Sequence, residues 1–202
     1  MSPTHVPPSP APSAAHSTCL TSALARPVEP RSSRAFRPSL INWISQNGCT
    51  WALTLNPNRG LSLTTELGLL REAFRDADEA LLGSRFNRKD GRKRLLGFVF
   101  AEHLNTNLHF HLAVRPGSPA TRAEEEARCV ALSEAWQHRV ASGSCLLKPM
   151  SDAAGWASYI TKESRRADFD FWTSSMWWPE KQRRHELDRS WEPPALTRNA
   201  IQ

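Results

Sequence analysis

A chain of 202 residues with 40% apolar side chains is long enough for one domain with a buried core and a tail, and no apolar run approaches the length of a membrane span. A formal net charge of +6 points to a polyanionic partner. Cys19, Cys49, Cys129 and Cys145 lack any C-x-x-C spacing, which argues against a cysteine zinc site or a disulfide frame. The N-terminus lacks the basic start and apolar stretch of a secretory signal, so the expected location is the cytoplasm, with reduced thiols.

Residues 1–40 are rich in Pro, Ser and Ala with little periodic apolar content. Such a segment buries too little surface to offset its ordering entropy, and a disordered tail is expected. The folded body is expected over 41–165. Cys49 to Leu55 is a β-prone run, stopped by Asn56-Pro57-Asn58-Arg59-Gly60. Leu63, Leu67, Leu70, Phe74 and Leu81 then recur at helical spacing behind Ser62, a good N-cap. Next comes a basic loop, in which Arg85, Arg88, Lys89, Arg92, Lys93 and Arg94 face only Asp90. Such a run is either a solvated loop or a contact for nucleic-acid phosphates.

Leu95 to His103 and Leu108 to Val114 predict two strands joined through Leu104-Asn105-Thr106-Asn107. Thr121-x-x-Glu124 has the form of a capping box opening a helix to about Val140, with Trp136 and Val140 inward. Cys145 to Lys148 predicts a short strand, and 152–164 a third helix with Ala153, Ala157 and Ile160 inward. The order β-α-β-β-α-β-α predicts an α+β fold: an antiparallel central sheet with helices packed on one face, in a ferredoxin-like, split βαβ plan. Residues 166–202 form a Trp/Arg-rich extension expected to pack on the domain. There Phe169, Phe171, Trp172, Trp177, Trp178 and Trp191 mix with Arg166, Lys181, Arg183 and Arg184, and Arg165 lies just before. Aromatics among cations can stack bases and hold phosphates, and Arg165 and Arg166 are candidate DNA contacts. Covering the open face of the sheet is the reading that aromatic burial favours.

Two constellations carry chemistry. In His109-Phe110-His111 the two histidines are i, i+2 on a strand and share a face. A hairpin centred on Asn105-Thr106 pairs residues whose numbers sum to about 211, which sets Glu102 opposite His109 and Phe100 opposite His111. Glu102 thereby becomes the third metal ligand, and His103 points away. Two imidazoles and a carboxylate leave positions open for water and phosphate oxygens. A strand with two ordinary hydrogen-bonded histidines is the competing reading. The second constellation is the only tyrosine of the chain, Tyr159, with Lys162 expected one helical turn on. A phenol that titrates near pH 10 needs a cation or a metal to attack at neutral pH. The competing reading is a half-buried aromatic with its hydroxyl at the surface.

With both in view, the chain resembles the HUH endonuclease superfamily, and within it the single-tyrosine rolling-circle replication initiators. Trp51-Ala52-Leu53-Thr54-Leu55 is similar to the first motif of such proteins, Leu108-His109-Phe110-His111-Leu112 to the second, and Ala157-Ser158-Tyr159-Ile160-Thr161-Lys162 to the third. The resemblance covers about 49 to 164. The tyrosine lies downstream of the histidines, as in initiators and single-tyrosine transposases, whereas conjugative relaxases place it upstream.

The resemblance implies nicking and joining of single-stranded DNA, or of a hairpin at an origin, through a 5′-phosphotyrosine link. Tyr159 would be the nucleophile and Lys162 its helper, and Mg²⁺ or Mn²⁺ would sit on Glu102, His109 and His111. It implies initiation of rolling-circle replication of a plasmid or phage. A single tyrosine excludes mechanisms that use two in one site. No Gly-x-x-x-x-Gly-Lys loop is present, so a host helicase would unwind the template. The alternatives are a single-tyrosine transposase and a DNA-binding module that keeps the fold without cleaving. Oligomeric state is not legible in the sequence.

Overall fold

The computed structural model describes residues 36–104, 106–164, 166 and 169–179. Its elements run α1 (Phe36–Gln46), β1 (Trp51–Asn56), α2 (Leu63–Leu82), β2 (Leu96–Glu102), β3 (His109–Arg115), α3 (Arg122–Arg139), β4 (Ser144–Pro149), α4 (Ala153–Ile160) and β5 (Phe171–Thr173). The five strands form one open antiparallel sheet in the order β4-β1-β3-β2-β5. Without β5, the β1-α2-β2-β3-α3-β4 unit is the expected split βαβ plan, an α+β fold.

The helix boundaries follow from the capping chemistry in the sequence. Ser62 Oγ accepts from Thr65 N–H and opens α2, and Gly83, at φ 81°, closes it through an N–H donated to Glu79 O. Thr121 Oγ1 accepts from Glu124 N–H, while Glu124 Oε2 accepts from Ala120 N–H. Together these satisfy two of the orphan donors at the start of α3.

Alternation along the strands separates two cores. Trp51, Leu53, Leu55, Val99, Phe110, Leu112 and Val114 point to one face, under α2 and α3. Gly97 belongs to that face, and a β-carbon there would come within 2.4 Å of Phe74 Cζ. Its lack of a side chain is what lets the Phe74 ring of α2 seat on the sheet. Phe98, Phe100 and Ala113 point to the other face, where Leu40, Trp43 and Ile44 of α1 meet Ala157 and Ile160 of α4. Helices therefore cover both faces, not one.

The difference comes from α1, which begins at Phe36 inside the segment expected to be tail. Phe36, Leu40, Trp43 and Ile44 are buried at i, i+4, i+7, i+8 spacing. Pro38 hides this helix from a composition-based reading. It sits in the first turn, where an N–H has no intrahelical acceptor, so it does no harm. Residues 1–35 lie outside the described residues.

The expected C-terminal extension contributes β5, which pairs with β2 and sets Phe171 opposite Phe100 and Trp172 opposite Val99. Phe169, Phe171, Trp172 and Trp178 are buried and Trp177 is half-buried, so these aromatics cover the sheet. Trp191, Lys181, Arg183 and Arg184 lie outside the described residues. Cys49 and Cys129 are buried free thiols and Cys145 is a half-buried one. Burial pushes the Cys49 thiol up to about 12, which removes it as a nucleophile at neutral pH. No helix among the described residues is long and apolar enough to cross a membrane.

Candidate metal centre and nucleophile

β2 and β3 pair in the register expected from the hairpin: Glu102 is opposite His109 and Phe100 opposite His111. All three polar side chains point to the α1/α4 face, at the end of the sheet where β2 stops and β3 starts. Glu102 Oε2 lies 3.5 Å from His109 Nε2 and 3.3 Å from His111 Nε2. Among the described residues, Glu102, His109 and His111 form the one cluster of three whose ligand atoms all approach within 4.8 Å. Glu102 is 2% exposed and His111 5%.

The far side of each imidazole is tied down. His109 Nδ1 is 3.0 Å from the Asn107 carbonyl, which can only accept, so Nδ1 carries the proton and Nε2 a lone pair when the ring is neutral. His111 Nδ1 is 3.0 Å from Thr54 Oγ1, supplied by β1, where Thr54 pairs directly with His111. Such partners orient metal-ligating histidines. The sequence names Thr54 only as part of a β-strand motif. Its contact with His111 depends on β1 lying next to β3, which no local pattern reveals.

Electrostatics favour a cation at this point. His111 is kept neutral: burial dominates, opposed by the Glu102 carboxylate, and pushes its pKa down to about 4. His111 Nε2 and Glu102 Oε1 are buried without a hydrogen-bond partner. The Thr54 hydroxyl can donate or accept; with His111 protonated at Nδ1, Nε2 presents a lone pair beside the Glu102 carboxylate, and a cation there is ligated by both. The residues present therefore fit a divalent ion bound by two nitrogens and one oxygen, a ligand set that leaves coordination positions for outside oxygens.

The depressed His111 pKa has a pH consequence. The folded state resists a proton that the unfolded chain takes up near pH 6.5, so this contribution is intact above pH 6.5. It is lost as pH falls through about 4. Urea unfolding between pH 7 and pH 4 should show up to about 3 kcal/mol of acid destabilisation that is absent from His111→Gln. Equal slopes for the two proteins would assign the acid sensitivity to other groups.

Tyr159 lies in the last turn of α4, 45% exposed, with its ring centroid 5.3 Å from that of His111 and nearly perpendicular to it. It stacks on Trp156 at 5.2 Å and 23°. Trp156 donates its Nε1–H to the Leu112 carbonyl of β3, which pins that indole between the strand and the tyrosine. Trp156 is the second residue missing from the sequence-level site. Its only local signal is a position three residues before Tyr159.

Lys162 does not lie on the tyrosine's helix. α4 stops at Ile160, where a helix over 152–164 was expected, and Thr161 Oγ1 turns back onto the Ala157 carbonyl. Lys162 occupies the following turn, its N–H donated to Tyr159 O. Its ammonium reaches Glu102 Oε2 at 2.9 Å and sits 4.1 Å from the centroid of the Tyr159 ring. Desolvation pulls the Lys162 pKa down, but hydrogen bonds with Glu102 and Tyr159 outweigh it, so the pKa is raised. The ammonium is charged at neutral pH.

His103 does not point away. β2 ends at Glu102, and the left-handed backbone of His103 (φ 56°) turns its ring to 5.0 Å from that of His109. It is exposed at the rim of the cluster.

The candidate DNA contacts divide. Arg94 is 4% exposed, pairs with Asp78 at 2.7 Å, and lies over the Phe86 and Trp178 rings. It is a structural residue and not a phosphate contact. Arg85, Arg88, Lys89, Arg92 and Lys93 are exposed. Arg92 is held by Asp90 at 2.7 Å. This loop enters β2 at Leu96, whereas the metal cluster lies at Glu102. Six strand steps separate them by about 20 Å, so the loop is a distal surface. Arg166 is exposed beside Glu163, four residues beyond Lys162. Arg165 lies outside the described residues. No protein-family model, curated protein or solved structure matches this chain.

Proposed function

We propose that this protein is a metal-dependent DNA nickase and strand transferase of the HUH type, acting through Tyr159 on single-stranded DNA to initiate rolling-circle replication. The single observation that carries this reading is the convergence of Tyr159 and Lys162 on the Glu102–His109–His111 cluster, where His111 Nε2 and Glu102 Oε1 are buried without a hydrogen-bond partner. When bound, a divalent ion such as Mg²⁺ or Mn²⁺ polarises the scissile phosphate as a Lewis acid.

The rest follows from the side chains. Thr54 and the Asn107 carbonyl hold the imidazoles with Nε2 inward. Trp156 fixes the plane of the Tyr159 ring, so its hydroxyl approaches one side of the cluster. Tyr159 Oη attacks phosphorus, an O–P bond forms, and the bond to the 3′ oxygen breaks. The phenol proton passes to solvent, to which this ring is open, and the departing 3′ oxygen takes a proton to become a hydroxyl. The Lys162 ammonium stabilises the developing phenolate and then the charge on phosphorus. The link preserves the energy of the broken bond, so a returning 3′-OH can reverse the step without ATP. The exposed basic loop, about 20 Å away, is a site for backbone contact with a duplex arm.

The test is an incubation of the protein with a pooled single-stranded oligonucleotide library and Mn²⁺. A protein–DNA adduct that survives boiling in detergent, and that a chelator prevents, is expected. No adduct from any pool, with DNA binding retained, would make the protein a non-cleaving binding module.

A further inference from the structure

Lys162 has a second role that the nucleophile-helper reading does not contain. We infer that its ammonium is a built-in competitor of the divalent ion for Glu102 Oε2, so that ion loading displaces Lys162 and commits its charge to Tyr159. The inference rests on the reading of Glu102, His109 and His111 as a metal centre.

Three nitrogens converge on one oxygen. Glu102 Oε2 is 2.9 Å from Lys162 Nζ, 3.3 Å from His111 Nε2 and 3.5 Å from His109 Nε2. The other carboxylate oxygen, Oε1, is buried without a partner. A divalent ion ligated by Oε2 at about 2.1 Å could stand no farther than about 5 Å from an ammonium that kept its own bond to the same atom. Even at the dielectric constant of water, a monovalent and a divalent cation at that separation repel enough to cost roughly tenfold in affinity. Glu102 is 2% exposed, so screening there is weaker than in water.

Lys162 can give way, because its side chain is 39% exposed and lies in a turn beyond the end of α4. It also has a destination. The same ammonium already sits 4.1 Å from the centroid of the Tyr159 ring. Leaving Glu102 transfers its hydrogen bonding to the phenol. The consequence is an order of events: the nucleophile receives the undivided cation only after the ion is in place. A site built this way trades metal affinity for coupling between loading and nucleophile activation.

This differs in sign from a lysine that merely supports the site. Titrate Mn²⁺ into the full chain at neutral pH, following free Mn²⁺ by its paramagnetic resonance signal. The competitor role predicts that Lys162→Met binds Mn²⁺ about tenfold more tightly than the parent while forming less covalent adduct. Lys162→Arg, which keeps the charge, should stay within about threefold of the parent. Should Lys162→Met fail to fold, Lys162→Gln removes the same charge with a polar end. Unchanged or weaker Mn²⁺ binding in the neutral variants, with clear binding by the parent, overturns the competitor role and leaves the metal centre standing. No Mn²⁺ binding by the parent or by either neutral variant overturns the metal centre itself.

Discussion

Replacing Glu102 by alanine should reduce Mn²⁺ affinity by at least about a hundredfold and bring adduct formation to background. The carboxylate is the only anionic member of the cluster, and its Oε2 is the common neighbour of His109, His111 and Lys162. Without it, two imidazoles and an ammonium remain with no anionic ligand, an arrangement that disfavours a divalent ion. The fold should survive, because Glu102 ends β2 and the strand is held by pairing with β3 along its full length. Loss of even an outer partner of a metal ligand typically costs 10- to 100-fold in affinity, so loss of a ligand sets the lower bound. Calorimetric Mn²⁺ titration checks this. Parent-like affinity in Glu102→Ala would remove the carboxylate from the metal centre. His103, whose exposed ring lies against that of His109, would then be the next residue to replace.

Arg94→Ala should cost about 3–5 kcal/mol in urea unfolding, enough to unfold many domains of this size. The substitution leaves Asp78, which is fully buried, without the guanidinium at 2.7 Å, although the Leu95 N–H still donates to its other oxygen at 3.0 Å. It also removes the cation stacked on Phe86 and Trp178. These contacts tie α2, the start of β2 and the C-terminal aromatics together. Arg88→Ala, at an exposed position in the same basic run, should change stability by no more than about 0.5 kcal/mol. If the two variants unfold at the same urea concentration, Arg94 is not the pin that its burial indicates.

The Glu102–His109 pairing was legible because a hairpin is local. A four-residue turn fixes the register, and period-two alternation does the rest. The capped starts of α2 and α3 were legible for the same reason. Arg94 was misplaced among the DNA contacts because a run of charges says nothing about exposure. Its partner Asp78 lies on another element, and a buried ion pair reads in sequence like two surface residues.

Thr54 and Trp156 were invisible as site residues because each reaches His111 or Tyr159 through tertiary neighbours. Thr54 does so across the β1–β3 ladder, and Trp156 by anchoring to the Leu112 carbonyl. The charge of Lys162 is legible in the sequence, but its Glu102 partner is not. Its bond to Glu102 joins β2 to the turn after α4, a contact that spacing within a helix cannot reveal. Helix α1 was lost to Pro38 and the surrounding composition, although its four buried apolar residues keep helical spacing.

The central claim is that Tyr159 attacks phosphorus beside a metal held by Glu102, His109 and His111. Because Tyr159 is the only tyrosine in the chain, one measurement addresses it directly. Digest the adduct formed with single-stranded DNA and Mn²⁺, and locate the nucleotide-bearing peptide by mass spectrometry. The expected result is a single modified peptide carrying a 5′-phosphonucleotide on Tyr159, formed only with the divalent ion and absent from Tyr159→Phe. A nucleotide attached to any other residue, or an adduct that Tyr159→Phe still forms, would contradict the mechanism.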